Sequence, residues 1–254
     1  MFSIAEPRPF ERYQAEFNDI PGFFQLDSMV LWDFFFGAQA RQGISGDLLE
    51  IGVYKGRSAV LGALYMRPEE RAFFVDISLP KDTQSLIKRA KPRNSVFLER
   101  RSGNLLSEGV LRESPGGFRW CHIDGDHTGY STTQDLHSAA YLVSENGIIC
   151  VDDFFNLRYP QLTAAVYAFL GAHASRFRML FCGANKCYIC SASAYAAYEH
   201  DIRDSLAAHI RSHNLEAQIY KTSYSSDNGC FSMWMRDGDR EVYGMDENPD
   251  VIPF

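Results

Sequence analysis

The stretch Leu48-Leu49-Glu50-Ile51-Gly52-Val53-Tyr54-Lys55-Gly56-Arg57-Ser58 decides the fold. Its apolar start reads as a strand, its two glycines mark a turn, and a helix-like segment opens at Arg57. Glycine lets the backbone approach a ligand closely, and the N-terminus of the following helix presents unpaired N–H groups to a carboxylate or phosphate. The loop from Glu50 to Gly56 is therefore a candidate cofactor cradle. A dinucleotide fingerprint would read G-x-G-x-x-G, whereas Tyr54 takes the middle position here, which weakens a nicotinamide reading.

Outward from this loop the same rhythm repeats. Short apolar runs at Asp47–Val53, Ala72–Asp76, Ser95–Arg100, Phe118–Asp124, Gly147–Asp153, Phe177–Cys182 and Lys186–Cys190 predict seven strands. Helix-like segments at Arg57–Met66, Asp82–Lys91, Leu105–Arg112, Tyr130–Val143 and Gln161–His173 alternate with them. Such alternation implies a mostly parallel sheet covered on both faces. Only Gly183-Ala184-Asn185 separates the last two strands, too little for a helical crossover, so they should pair antiparallel. The expected fold class is α/β: a Rossmann-like seven-stranded sheet with an antiparallel last strand. Around this core, residues 46–192, we expect a helical N-terminal segment over 1–45, with a helix from Leu26 to Gln42. An α+β extension over 193–254 would serve as a lid or an oligomer contact. The extension should start with a long helix through Ile210 and end in a hairpin, Cys230–Arg236 against Arg240–Tyr243 around Asp237-Gly238-Asp239.

Composition narrows the partners. With 25 Lys plus Arg against 32 Asp plus Glu, the net charge of −7 offers no general attraction for nucleic acid. The N-terminus lacks the basic-then-apolar order of a secretory signal, and the Met29–Ala40 run, interrupted by Asp33, is too short to span a bilayer. A small-molecule partner, no membrane, a homo-oligomeric contact and a cytoplasmic setting are the expectations. The six cysteines, at 121, 150, 182, 187, 190 and 230, mostly lie inside apolar runs, which fits a reducing compartment. Cys187-x-x-Cys190 falls in a predicted strand, where residues three apart face opposite ways and cannot share a metal.

Chemistry gathers at the strand ends, where open α/β sheets bind ligands. Asp76 closes the second strand and is placed to accept the hydroxyls of a ribose. Trp120-Cys121-His122-Ile123-Asp124-Gly125-Asp126-His127 and Val151-Asp152-Asp153 close two more. Three converging carboxylates, Asp124, Asp152 and Asp153, cannot all stay ionised without a cation, and an all-oxygen set favours Mg²⁺, Mn²⁺ or Ca²⁺ over zinc. Neighbours in an extended strand point apart, so Asp152 and Asp153 can share an ion only where the strand ends in a turn. The plainer alternative is that Asp152 or Asp153 caps a turn or helix and Asp126 lies in a solvated loop.

The loop Leu49–Ser58, the stretch His122-Ile123-Asp124-Gly125-Asp126-His127-x-x-Tyr130 and the pair Asp152-Asp153 resemble the metal-dependent sugar O-methyltransferases of macrolide biosynthesis, the macrocin and mycinamicin type. The resemblance runs from about Pro21 to Ala192. A parallel sheet closed by one antiparallel strand is also the architecture of class I methyltransferases. The resemblance implies S-adenosylmethionine (SAM) as methyl donor. Glu50, Gly52, Tyr54, Gly56, Ser58, Asp76, Ser102 and Asp124 are the candidate cofactor residues. It further implies that Asp124, Asp152 and Asp153 bind Mg²⁺ or Mn²⁺, and that His127 acts as base toward a sugar hydroxyl; the other histidines, His122 included, receive no role. Catechol-type methyltransferases are similar in layout but usually carry Asn where Asp153 stands. Rival readings are a catechol-like phenol acceptor, an NAD-type oxidoreductase and a non-catalytic binding protein on the same fold.

Overall fold

A computed structural model describes residues 8–107, 109–221 and 229–235. Among them nine strands form one sheet in the order β3-β2-β1-β4-β5-β7-β6-β9-β8. The strands are β1 Asp47–Ile51, β2 Ala72–Asp76, β3 Ser95–Glu99, β4 Phe118–Ile123, β5 Val143–Val151, β6 Phe177–Gly183, β7 Lys186–Ser191, β8 Ala217–Lys221 and β9 Phe231–Met235. β1 to β5 run parallel, and β7 pairs antiparallel with both β5 and β6. The predicted hairpin turns at Ala184 and Asn185, both in the left-handed region.

The helices are α1 Pro9–Glu16, α2 Leu26–Arg41, α3 Arg57–Leu64, α4 Lys81–Ala90, α5 Gly109–Arg112, α6 Gly129–Leu142, α7 Pro160–Ala172, α8 Tyr195–Asp201 and α9 Ala207–Ser212. A π-helical stretch, Ile202–Leu206, joins the last two. Two apolar layers cover the sheet. One gathers Trp32, Phe35, Trp120, Tyr188 and Cys190 under α2, the other Phe118, Cys121, Leu136, Phe169 and Cys187 under α6 and α7. α2 is buried nearly all round, because it lies between the sheet and the C-terminal helices. Cys187 and Cys190 face opposite layers, as strand geometry requires, and no described cysteine is in a disulfide.

The strand count corrects the expectation of seven. The segment after Ala192 adds β8 and β9, and β9 joins β6 in parallel, so the extension prolongs the sheet. The expected Cys230–Arg236 strand is found as β9, but it pairs with Ala217–Lys221; its predicted partner Arg240–Tyr243 and the Asp-Gly turn lie outside the described residues. Alternation in Phe231–Met235 is readable; the expected pairing falls on the wrong side, because it rests on Asp237-Gly238 after the strand and leaves out Ser225-Ser226-Asp227-Asn228-Gly229 before it, an equally strong turn sequence. No helix among the described residues is long and apolar enough to cross a membrane.

Candidate active site

The parallel strands β2, β1, β4 and β5 end side by side, and the hydrogen-bond ladder continues one residue past them. Gly52 N donates to Val75 O at 2.8 Å, Asp124 N to Ile51 O at 2.7 Å and Asp152 N to Ile123 O at 2.9 Å. Gly52 has φ +86°, and a Cβ there would sit 1.8 Å from the Asp124 carbonyl oxygen. This glycine is required first by the seam between two loops, and no side chain can enter it. Tyr54 and Gly56 are also left-handed, at φ 47° and 85°. The resulting turn aims α3 at the sheet edge, with Gly56 as its N-cap.

The candidate cofactor residues line this turn in two groups. The Asp76 carboxylate accepts the Val53 and Tyr54 N–H groups at 2.8 and 2.9 Å, so it is held against the loop and retains lone pairs for further donors. Tyr54 stands 59% exposed beside the still more open ring of Phe23, stacked at 6.4 Å. Glu50 and Ser58, by contrast, are buried and joined to each other at 2.5 Å. Ser102 follows β3 and lies beside the buried carboxyl of Asp135, whose pKa burial raises to about 6 despite that hydroxyl.

At the ends of β4 and β5, Asp124, His127 and Asp153 bring one ligand atom each within 4.8 Å of one another. Strand β5 stops at Val151 and a turn follows, with Asp153 left-handed at φ 56°. The turn separates the two aspartates: Asp153 points to His127 and Asp152 points back into the sheet. His127 Nε2 lies 2.8 Å from Asp153 Oδ2 and 3.4 Å from Asp124 Oδ1, without the alignment of a hydrogen bond. The Tyr159 ring stacks on the imidazole at 4.3 Å, and the His127 carbonyl accepts from Gln161 Nε2, which together fix the ring. Asp153 Oδ1 accepts from Asn156 and Asn185, each at 2.8 Å.

Asp152 belongs to a second, deeper group. One of its oxygens meets the ammonium of the buried Lys186, and His122 Nε2 is 3.7 Å away. The opposite ring nitrogen of His122 faces Glu50 Oε1 at 3.4 Å, its register partner on β1. Burial alone would make His122 less basic, but Asp152 and Glu50 outweigh it and bring its pKa to about 9. Burial likewise opposes the charges on Asp152 and Lys186, yet their pairing holds the carboxyl far below its usual range and the ammonium above its own. His122, Lys186 and Tyr159 are the residues that reading the sequence missed. A lysine opening the apolar run Lys186–Cys190 was the one visible sign, since a charge there needs a buried partner.

Electrostatics test the cluster as a cation site. Burial, and then the charge of Asp152, raise Asp124 to about 6, whereas contact with Asp124 and Asp153 raises His127 to about 10. Two carboxylates thus hold a proton on His127 at neutral pH. Oxygen donors so arranged fit a hard divalent cation, whose charge would take over from that proton.

Residues 49–154 match the family model of a methyltransferase domain. The match spans less than half of the chain and marks this segment, from the end of β1 to just past β5, as similar to methyltransferase domains. In structure it is similar to the calicheamicin methyltransferase CalS11, with TM-score 0.50 and 16% identity, over 75% of this chain and 94% of that one. It is also similar to the MycE methyltransferase from the mycinamycin biosynthetic pathway, solved with Mg, SAH and mycinamycin VI. There the TM-score is 0.55 at 15% identity, over 74% of this chain and 55% of MycE, so this chain spans about half of that protein. At these identities the likeness is one of fold. No curated protein matches the chain in sequence.

Proposed function

We propose that this methyltransferase domain transfers the SAM methyl group to a hydroxyl of a sugar or glycosylated small molecule, with a divalent ion, Mg²⁺ or Mn²⁺, at the carboxylate cluster. The convergence of Asp124, His127 and Asp153 beside the Glu50–Gly56 loop carries the reading. Methyl transfer is an in-line displacement, and its barrier falls chiefly through positioning of nucleophile and methyl. The loop amides, Tyr54 and Asp76 would hold the donor. Asp124 and Asp153 would hold the ion, which when bound lowers the pKa of neighbouring hydroxyl oxygens. Lys186 and His122 keep Asp152 ionised and turned away from His127. With the charge of Asp124 and Asp153 balanced, His127 would be held less firmly in its protonated form, and its Nε2 would serve to accept the proton of the acceptor hydroxyl. The MycE complex with Mg, SAH and mycinamycin VI is consistent with a divalent ion and a small-molecule acceptor on this fold.

The test is a screen of sugar nucleotides, glycosides and catechols with SAM, read by mass spectrometry as a one-methyl gain, before and after chelation. A gain on glycosides that chelation abolishes and Mg²⁺ restores is expected. A gain on catechols alone would overturn the acceptor class, and indifference to chelation would overturn the ion.

A further inference from the structure

A second constellation lies under the opposite layer of the fold, away from the strand ends. His209-Ile210-Arg211-Ser212-His213 places two imidazoles four residues apart on α9, hence on one face of the helix. That face meets α2 at Asp33. We propose that Asp33, His209 and His213 form a zinc site that fastens the C-terminal helix α9 to α2.

The distances carry the argument. Asp33 Oδ2 is 3.3 Å from His209 Nε2 and 3.3 Å from His213 Nε2, and the three ligand atoms lie within 4.8 Å of one another. A charge-assisted N–H···O bond closes to about 2.7–2.9 Å, so both contacts are long for a His–Asp hydrogen bond. They match the edge of a tetrahedron with metal–ligand bonds of about 2.0–2.1 Å, which is roughly 3.3–3.4 Å. Two imidazoles and one carboxylate are a zinc donor set. The harder ions suited to Asp124 and Asp153 prefer oxygen alone.

The surroundings fit as well. The Tyr65 hydroxyl donates to Asp33 Oδ1, which orients the carboxylate and leaves Oδ2 toward the histidines. His209 Nε2 is also 3.2 Å from the Val30 carbonyl, a hydrogen bond that the metal replaces once the ring proton moves to Nδ1. The Phe10 ring stands edge-on to His213 at 4.5 Å and walls one side. Side-chain exposures of 18% for Asp33, 23% for His209 and 12% for His213 leave room for water as a fourth ligand.

The experiment uses the full chain carrying Asp124→Asn, which removes the other cluster from the count. After chelation and dialysis it is titrated with Zn²⁺ by calorimetry, and with Co²⁺, whose visible bands report four-coordination. We expect one Zn²⁺ per chain, the tetrahedral Co²⁺ spectrum, and loss of both in the His209→Gln/His213→Gln variant. Tyr65→Phe should weaken Zn²⁺ about tenfold while the spectrum persists. Equal Zn²⁺ binding by the parent and the double variant overturns the proposal, as does no binding by the parent. If the double variant fails to fold, His213→Gln alone is compared, with circular dichroism confirming its fold. Neither readout depends on methyl transfer, so the result stands apart from that of the acceptor screen.

Discussion

The two ends of β4 carry buried charge in opposite ways. At its start Arg119, 2% exposed, makes two hydrogen bonds to Glu70, each at 2.8 Å, and reaches Gln39 Oε1 and the Tyr65 carbonyl with its remaining donors. Donors and acceptors are aligned, and the group is closed. Past its other end, Asp124, His127 and Asp153 crowd together with His127 Nε2 unaligned, while Asp152, Lys186, His122 and Glu50 form a chain of charges behind them. A closed network fixes a fold, and an incompletely matched one is poised for a ligand. The difference teaches where to look for chemistry in a sheet with charges at both edges.

Four changes would break or sharpen this contrast. His127→Ala should lower turnover by roughly 10²–10⁴-fold with the melting temperature unchanged, measured with the acceptor found in the screen. Arg119→Ala should do the reverse, costing about 3 kcal/mol of unfolding free energy by denaturant titration. Buried Glu70 would lose its close counter-charge and be left with Arg67 at 3.9 Å and two backbone N–H groups. If both variants lost activity and stability together, the contrast would fail.

Asp135 tests whether the site end tolerates a charge that the fold disfavours. Its carboxyl has no aligned partner, and burial raises its folded pKa to about 6 from the ordinary 3.8. Folding thus favours the neutral acid, whose contribution is full below about pH 4 and is lost as pH rises through 6. Asp135→Asn should therefore be more stable than the parent at pH 8, by up to about 3 kcal/mol, and the gain should vanish at pH 4. Denaturant titrations at the two pH values would show it; a gain that does not depend on pH would contradict it. The smallest effect belongs to Tyr54→Ala. Removing an exposed ring should raise the KM for SAM by roughly tenfold, about 1.4 kcal/mol, and leave stability within about 0.5 kcal/mol.

What the sequence disclosed depended on whether the signal was local. The turn at Gly52 and Gly56, the carboxylates closing their strands and the β6–β7 hairpin are written in contiguous residues, so period and punctuation found them. His122, Lys186 and Tyr159 acquire meaning only through register. Glu50 faces His122 across β1 and β4, and Lys186 reaches Asp152 from β7, contacts that no spacing in one segment encodes. The separation of Asp152 from Asp153 was legible as a condition, a turn at the strand end. Its outcome was not, because the left-handed φ of Asp153 is set by the Asn156 and Asn185 amides that grip its carboxylate. Of the two extra strands, Phe231–Met235 was legible by its alternation; that it joins the sheet beside β6 was not, because that pairing is a register between distant segments.

The Gly52 seam has a consequence for how such a domain diversifies. With the Gly52 backbone pressed on Asp124 and ladder bonds running from Val75 to Ile51 to Ile123, the donor loop and the carboxylates stand on a ruler of fixed spacing. Substitution there disturbs every mark on the ruler at once. The segments that rise from it, around Phe23, Tyr130 and Leu157, expose those side chains and lie outside the ladder itself. Acceptor preference is then free to drift in the rim while the reacting geometry is inherited intact.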